Sequence, residues 1–290
     1  MILCLAAVAL LLQPAAEMYS LRAVVSDGSG AAVRDLEATD VSLTEGGATL
    51  PLTRFEKDER PSRVALLVDS SQPMATSYRL YFVDAAKAFV ASLPANTRVS
   101  IWATGDRPVK VVDDLDLEGE ASAREVVAGL SRHPLTGGNT ILDALVEAAE
   151  DLQKTEGERK IVVFLSGVGP GFSNDHRQGI VQRVLATGVE VAGTLVTERG
   201  EASLGGDVSE EDYDYVFGAL TDGTAGRLER SLSMMGASTA LQRVAADLRS
   251  TYRLAYLRTT GSRRARLALQ VARPAVKVRL SIPTKETSSP

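Results

Sequence analysis

The sequence contains one cysteine, two histidines and, beyond its first dozen residues, no long apolar run. Each scarcity excludes something. Cys4 on its own can form no disulfide within the chain, so stability has to come from packing. No Cys or His spacing suited to zinc is present. His133 and His176 have no acidic partner fixed by sequence and read as surface residues, which leaves a hydrolase without an evident base. Basic residues are in the minority, with 32 Lys and Arg against 37 Asp and Glu and a formal net charge of −5. Nucleic-acid affinity rests on clustered Lys and Arg, so nucleic acid is not an expected partner.

What is present is enough for a large core. The chain has 290 residues, 44% hydrophobic and 24% charged, which suits one large domain and a smaller one. The opening Met1-Ile-Leu-Cys-Leu-Ala-Ala-Val-Ala-Leu-Leu-Leu12 is apolar but too short for an ordinary membrane-spanning helix. It reads as a signal peptide, residues 1–16, cut after Ala16, with an uncleaved anchor as the alternative. Cys4 lies near the start of that run rather than at its end, which disfavours a lipid anchor. The expectation is export to the periplasm or beyond the cell, with no membrane span in the mature chain.

The most informative stretch is Val64-Ala-Leu-Leu-Val-Asp69-Ser70-Ser71-Gln72-Pro73-Met74. An apolar run of this length needs cover on both faces, as a central strand of an α/β sheet has. Ligands gather at the carboxyl ends of such strands, so Asp69 and Ser71 fall at a natural binding position. A carboxylate and hydroxyls suit a hard divalent cation. The same residues also read as a helix start, with Asp or Ser capping and Pro73 in the first turn.

The spacing of Asp69, Ser71 and Pro73 resembles the Asp-x-Ser-x-Ser loop of the metal-ion-dependent adhesion site of von Willebrand factor type A domains, with proline in the third ligand position. Thr136-Gly-Gly-Asn139-Thr140-Ile-Leu-Asp-Ala-Leu145 resembles the second loop, with Thr140 in the threonine position; Thr140 could equally cap the following helix. The strand Lys160-Ile-Val-Val-Phe-Leu165 is followed by Ser166, where the family's third loop brings an aspartate. Relative to the family, a carboxylate and a hydroxyl are missing. A site with one carboxylate offsets less of the dehydration cost of Mg²⁺, Mn²⁺ or Ca²⁺, so metal binding through Asp69, Ser71 and Thr140 is expected to be weak or lost.

The resemblance extends beyond that loop. Residues 21–74, with short strands and the Asp27-Gly-Ser-Gly30 turn, are similar to the opening of bacterial proteins related to von Willebrand factor type A. Leu241 to Tyr256 is similar to the last helix and following strand of the same family. Strands alternating with helices between these segments imply a doubly wound, mostly parallel sheet. The expected organisation is an N-terminal β segment over 17–60, a type A domain over 61–260, and C-terminal β strands and tail over 261–290. The two terminal segments are expected to pack together as a small sandwich.

Sharper readings of other motifs give way to simpler ones. Arg263, Arg264 and Arg266 read as a solvated hairpin turn, and Glu210-Glu-Asp-Tyr-Asp214 as an exposed loop or helix start without calcium-loop spacing. Ser166 sits on a strand-to-loop turn, but Phe164 stands where a nucleophile elbow needs glycine, so no enzyme is expected. The resemblance implies adhesion or assembly: a protein partner meeting the face formed by Asp69, Ser71, Asn139, Thr140 and Ser166. The alternative is an envelope scaffold acting through its terminal β segments.

Overall fold

The computed structural model describes residues 16–75, 78–117, 119–156, 158–169, 171–197, 208–259 and 265–286. The apolar leader with Cys4, the arginines 263 and 264, and the last four residues lie outside them. The elements run β1 (Ala16–Ser26), β2 (Val41–Glu45), β3 (Ala48–Leu50), β4 (Leu52–Lys57), β5 (Ser62–Asp69), a π-helical turn (Tyr78–Phe82), α1 (Val83–Ser92), β6 (Thr97–Thr104) and β7 (Pro108–Asp116). They continue through α2 (Glu120–Arg132), α3 (Ile141–Gln153), β8 (Arg159–Gly167), α4 (Arg177–Ala186), β9 (Glu190–Val196), α5 (Glu210–Thr224), β10 (Leu228–Ser231) and α6 (Ala237–Leu248). The chain closes with β11 (Thr251–Thr259), β12 (Leu267–Val271), β13 (Lys277–Leu280) and β14 (Thr284–Lys285).

The central sheet has the order β10-β9-β8-β5-β6-β7, parallel except for the antiparallel edge strand β7. The apolar run of β5 is divided by the period of two. Val64, Leu66 and Val68 face the layer of α1, α2 and α6, while Ala65 and Leu67 face α3, α4 and α5. On the second face Phe164 stacks on Phe217 at 3.9 Å between ring centroids. Gly193 of β9 makes room for this: a Cβ there would lie 2.5 Å from Cγ of Phe164 and 2.4 Å from its carbonyl oxygen. The fold is therefore α/β, doubly wound and mostly parallel.

The two termini build a second body. β1 lies between β11 and β13, β11 also pairs with β4, and β14 adds to β1, so both ends of the chain share one sheet. A three-stranded sheet, β12-β2-β3, faces it across a core that includes Leu21, Leu43, Tyr252, Leu254 and Leu269. Strand β11, within the 61–260 span read as type A domain, belongs to this terminal sheet. Ala16, the last residue of the expected leader, is the first described residue of β1 and pairs with Thr259. Tyr252 ties the sandwich to its own connecting loop, donating to the Val33 carbonyl at 3.1 Å and accepting from Leu36 N at 3.2 Å.

A buried ion pair joins the two bodies. Arg159, at the start of β8, grips Glu190 at the start of β9 with two hydrogen bonds of 2.6 Å, and its Nη2 also reaches Thr251 Oγ1 at 2.6 Å. Its Nη1 donates to the Leu248 carbonyl. Burying both charges is tolerable because each has a bidentate partner and further polar contacts.

Candidate functional site

Four segments deliver polar groups to the carboxyl end of the central sheet: the ends of β5, β6 and β8, and the loop before α3. Asp69, Ser71, Thr104, Asn139 and Ser166 are each at most 2% exposed. The loops are joined through their backbones as well, since Gln72 N donates to the Gly137 carbonyl at 3.1 Å. Gly137 has φ +50°, a left-handed turn that suits glycine.

Asn139 is the hub. Its Oδ1 accepts from Ile141 N at 3.0 Å and from Thr104 Oγ1 at 2.9 Å. A backbone N–H can only donate, so this contact fixes which way the amide points. Nδ2 is thereby aimed at Asp69 Oδ2 and Ser166 Oγ, both at 2.9 Å. Ser166 passes its own proton to the Gly167 carbonyl at 2.9 Å. Asp69 receives two more donors, Ser71 N on Oδ1 and Gly167 N on Oδ2, each at 3.0 Å.

Burial raises the Asp69 carboxyl to about 6, against the opposing pull of the hydrogen bonds from Ser71 and Gly167. Two hydroxyls near this carboxylate, Ser70 Oγ and Tyr78 OH, are buried without a partner among the described residues. Burial, and then the Asp69 charge, push the Tyr78 hydroxyl upward in pKa. Met74 closes the floor: a Cβ at Gly167 would come within 2.7 Å of its Sδ.

The hydroxyls singled out from sequence are placed differently from one another. Ser71 stands at the start of a short 3-10 turn (Gln72–Met74) but makes no side-chain cap, and its backbone N–H turns back to Asp69. Thr140 precedes α3, also without a side-chain cap, and its hydroxyl donates to the Gly105 carbonyl at 3.0 Å. Asp69, Ser71, Asn139 and Ser166 are brought together, while the Thr140 hydroxyl is committed to Gly105. Thr104 and Met74 were not singled out; Thr104 ends an apolar strand at the same sheet edge as Asp69, which is the signal that could have found it.

This donor set does not fit a divalent cation. Asn139 presents N–H groups, which have no lone pair to offer, toward the single carboxylate. Ser166 contributes a hydroxyl where a second carboxylate would be needed, and Pro73 contributes none. Among the described residues, no three His, Cys, Asp or Glu side chains gather into a group able to hold a metal. The acidic run from Glu210 begins α5, where Ser209 and Asp212 cap each other reciprocally.

A family model for the von Willebrand factor type A domain matches residues 62–177. The chain carries a von Willebrand factor type A domain. Similar solved structures include a von Willebrand factor type A protein from Catenulispora acidiphila, 10% identical, covering 93% of this chain and 72% of that one with a TM-score of 0.52. Proximal thread matrix protein 1 from the mussel byssus is 15% identical and covers 74% of this chain with a TM-score of 0.51. The match spans 50% of that mussel protein. At these identities the likeness is one of fold. No curated protein matches the sequence. Among the described residues, no helix is long and apolar enough to cross a membrane.

Proposed function

We propose that this type A domain is an exported, non-enzymatic module that meets a protein partner through its loop face without a metal ion. The observation that carries the reading is the Asn139 amide, hydrogen-bonded to both Asp69 and Ser166, so that the carboxylate is neutralised internally by N–H donors. The polar cluster then serves as a rigid floor that fixes the shape of the loops above it. Apolar side chains on this end of the sheet supply the contact. Phe172, whose N–H binds the Asn139 carbonyl, is 45% exposed, and Leu232 and Met235, just beyond β10, are 84% and 75% exposed. Ser166 is fully buried and hydrogen-bonded to Asn139 and Gly167, which does not suit a nucleophile.

The test is cross-linking capture by the purified protein in an envelope extract, with and without a chelator. Capture that survives the chelator and is lost in Phe172→Ser and Met235→Ser supports the reading. Capture that disappears with the chelator, or that is untouched by these changes and by Ala at Asp69, Ser71 and Thr140, defeats it.

The scaffold reading has one observation in its favour: the Arg159–Glu190 pair and Thr251 lock the terminal sandwich to the domain, so force applied to the termini would be transmitted. Capture that maps to the sandwich instead of the loop face would select it.

A further inference from the structure

At the opposite, amino-terminal end of the parallel strands, a cleft of about 450 Å³ opens where the terminal sheet meets the turns before β9 and after α5. Among the described residues its wall carries Arg22, Arg54, Arg60 and Arg253 and one carboxylate, Glu286, with Glu56, Asp58 and Glu190 lying behind the arginines. Four arginines from separate strands and connections thus converge on one cavity. The volume is within the usual range for small-ligand sites.

The arginines are held from behind. Asp58, whose side chain is fully buried, takes Nε and Nη2 of Arg60 at 2.7 and 2.6 Å, leaving three of its five N–H donors unengaged by that pair. Arg253 is held by Glu56, and Arg54 reaches Glu286 at 3.4 Å. Arg22 is the least satisfied. Its Nε lies 3.7 Å from Glu190, is buried and has no hydrogen-bond partner, while Nη1 makes a long 3.4 Å contact with the Gly188 carbonyl. Burial, together with the nearby charges of Arg159 and Arg60, lowers its pKa despite Glu190. A cation in that position gains from a further anion, and the guanidinium groups around it are already oriented.

We infer that this cleft binds a small oxyanion, a carboxylate- or phosphate-bearing molecule, through Arg22, Arg54, Arg60 and Arg253. Leu185 and the exposed Ile282 give the same wall an apolar patch, so the ligand carries a short carbon body beside its charge. The site is independent of the loop face and of any protein partner there.

Calorimetric titration of citrate and of inorganic phosphate into the full chain tests this, with sodium chloride at matched ionic strength as the control. Binding is expected to weaken about tenfold in Arg22→Gln and severalfold in Arg54→Gln, through loss of charge-assisted hydrogen bonds, and to be unchanged in Asp69→Asn. Tighter citrate than phosphate identifies a carboxylate ligand; the reverse identifies a phosphoryl group. Heats no larger than those of chloride, or wild-type affinity in both arginine variants, overturn the inference. Should Arg22→Gln not fold, the half-exposed Arg54 decides the matter alone.

Discussion

Asn139 Nδ2 lies 2.9 Å from Asp69 Oδ2, and the same nitrogen lies 2.9 Å from Ser166 Oγ. One side-chain amide thus joins the three loops of a type A site and places a hydrogen-bond donor against its single carboxylate. The amide is anchored from its other end by Ile141 N and Thr104.

Removing that amide leaves buried groups unpaired. Asn139→Ala is expected to lower stability by about 2–4 kcal/mol, because Asp69, Ser166, Thr104 and Ile141 N each lose a partner. Urea unfolding at pH 7 measures it, and a loss below about 0.5 kcal/mol, the scale of an inert surface change, would show that the hub is dispensable.

Replacing the amide by its isosteric acid reverses the electrostatics. Asn139→Asp sets a second carboxylate against Asp69, which two close negative charges disfavour unless a proton or cation is shared. Its melting temperature is expected to rise with millimolar Mn²⁺ or Ca²⁺, while that of the native protein stays put. Equal response of the two proteins would show that residue 139 does not govern access to metal.

The Asp69 carboxyl gives the protein a pH signature. Its folded pKa of about 6 exceeds its ordinary value of 3.8, so the folded state binds the proton more tightly than the unfolded one. The resulting stabilisation is complete below about pH 4 and is lost as pH rises through about 6, a contribution of about 3 kcal/mol. Unfolding free energies at pH 5 and pH 7.5 for the native chain and for Asp69→Asn isolate this group from the carboxylates that titrate oppositely. A native-minus-variant difference that stays flat across that window would refute the assignment.

The junction pair should be intolerant of half-removal. Glu190→Gln leaves the Arg159 charge buried without its bidentate partner, at an expected cost of about 3–5 kcal/mol, whereas solvent-facing Arg183→Gln, on α4, should cost under about 1 kcal/mol. Comparable losses in the two variants would mean that the junction is not a special point of the fold.

Gly193→Ala tests the packing behind the site. Its Cβ would meet the carbonyl and ring of Phe164 at 2.4 and 2.5 Å, so the strands must separate or the Phe164–Phe217 stack must shift. An overpacking loss of about 1–3 kcal/mol or more is expected by thermal unfolding, and none would be seen if the stack can move freely.

The central fold was legible because its strands are apolar on both sides and its helices carry 3.6-residue spacing; β5, β8 and β9 are nearly uninterrupted buried runs. The meeting of the two termini was also readable as an expectation. The edge of the sandwich was not, since β11 looks like a domain strand until its partners β1 and β4 are known. Asp69, Ser71, Asn139, Thr140 and Ser166 could be placed on one face through the resemblance of their loops to those of a type A site. Which of the neighbours Asn139 and Thr140 turns inward could not, because that depends on the hydrogen bonds of Thr104 and Gly105, some 35 residues earlier. The Arg159–Glu190 pair was hidden for a similar reason: charged residues at strand starts read as solvated, whereas here both are buried, with Thr251 and Arg22 of the terminal sheet beside them.

The most direct measurement is isothermal titration of Mg²⁺, Mn²⁺ and Ca²⁺ into the purified protein, with Asp69→Ala as the control. No binding heat is expected for any of the three ions up to millimolar concentration, because the carboxylate is already held by N–H donors. Saturable binding that vanishes in Asp69→Ala would contradict this and make the loop face metal-dependent.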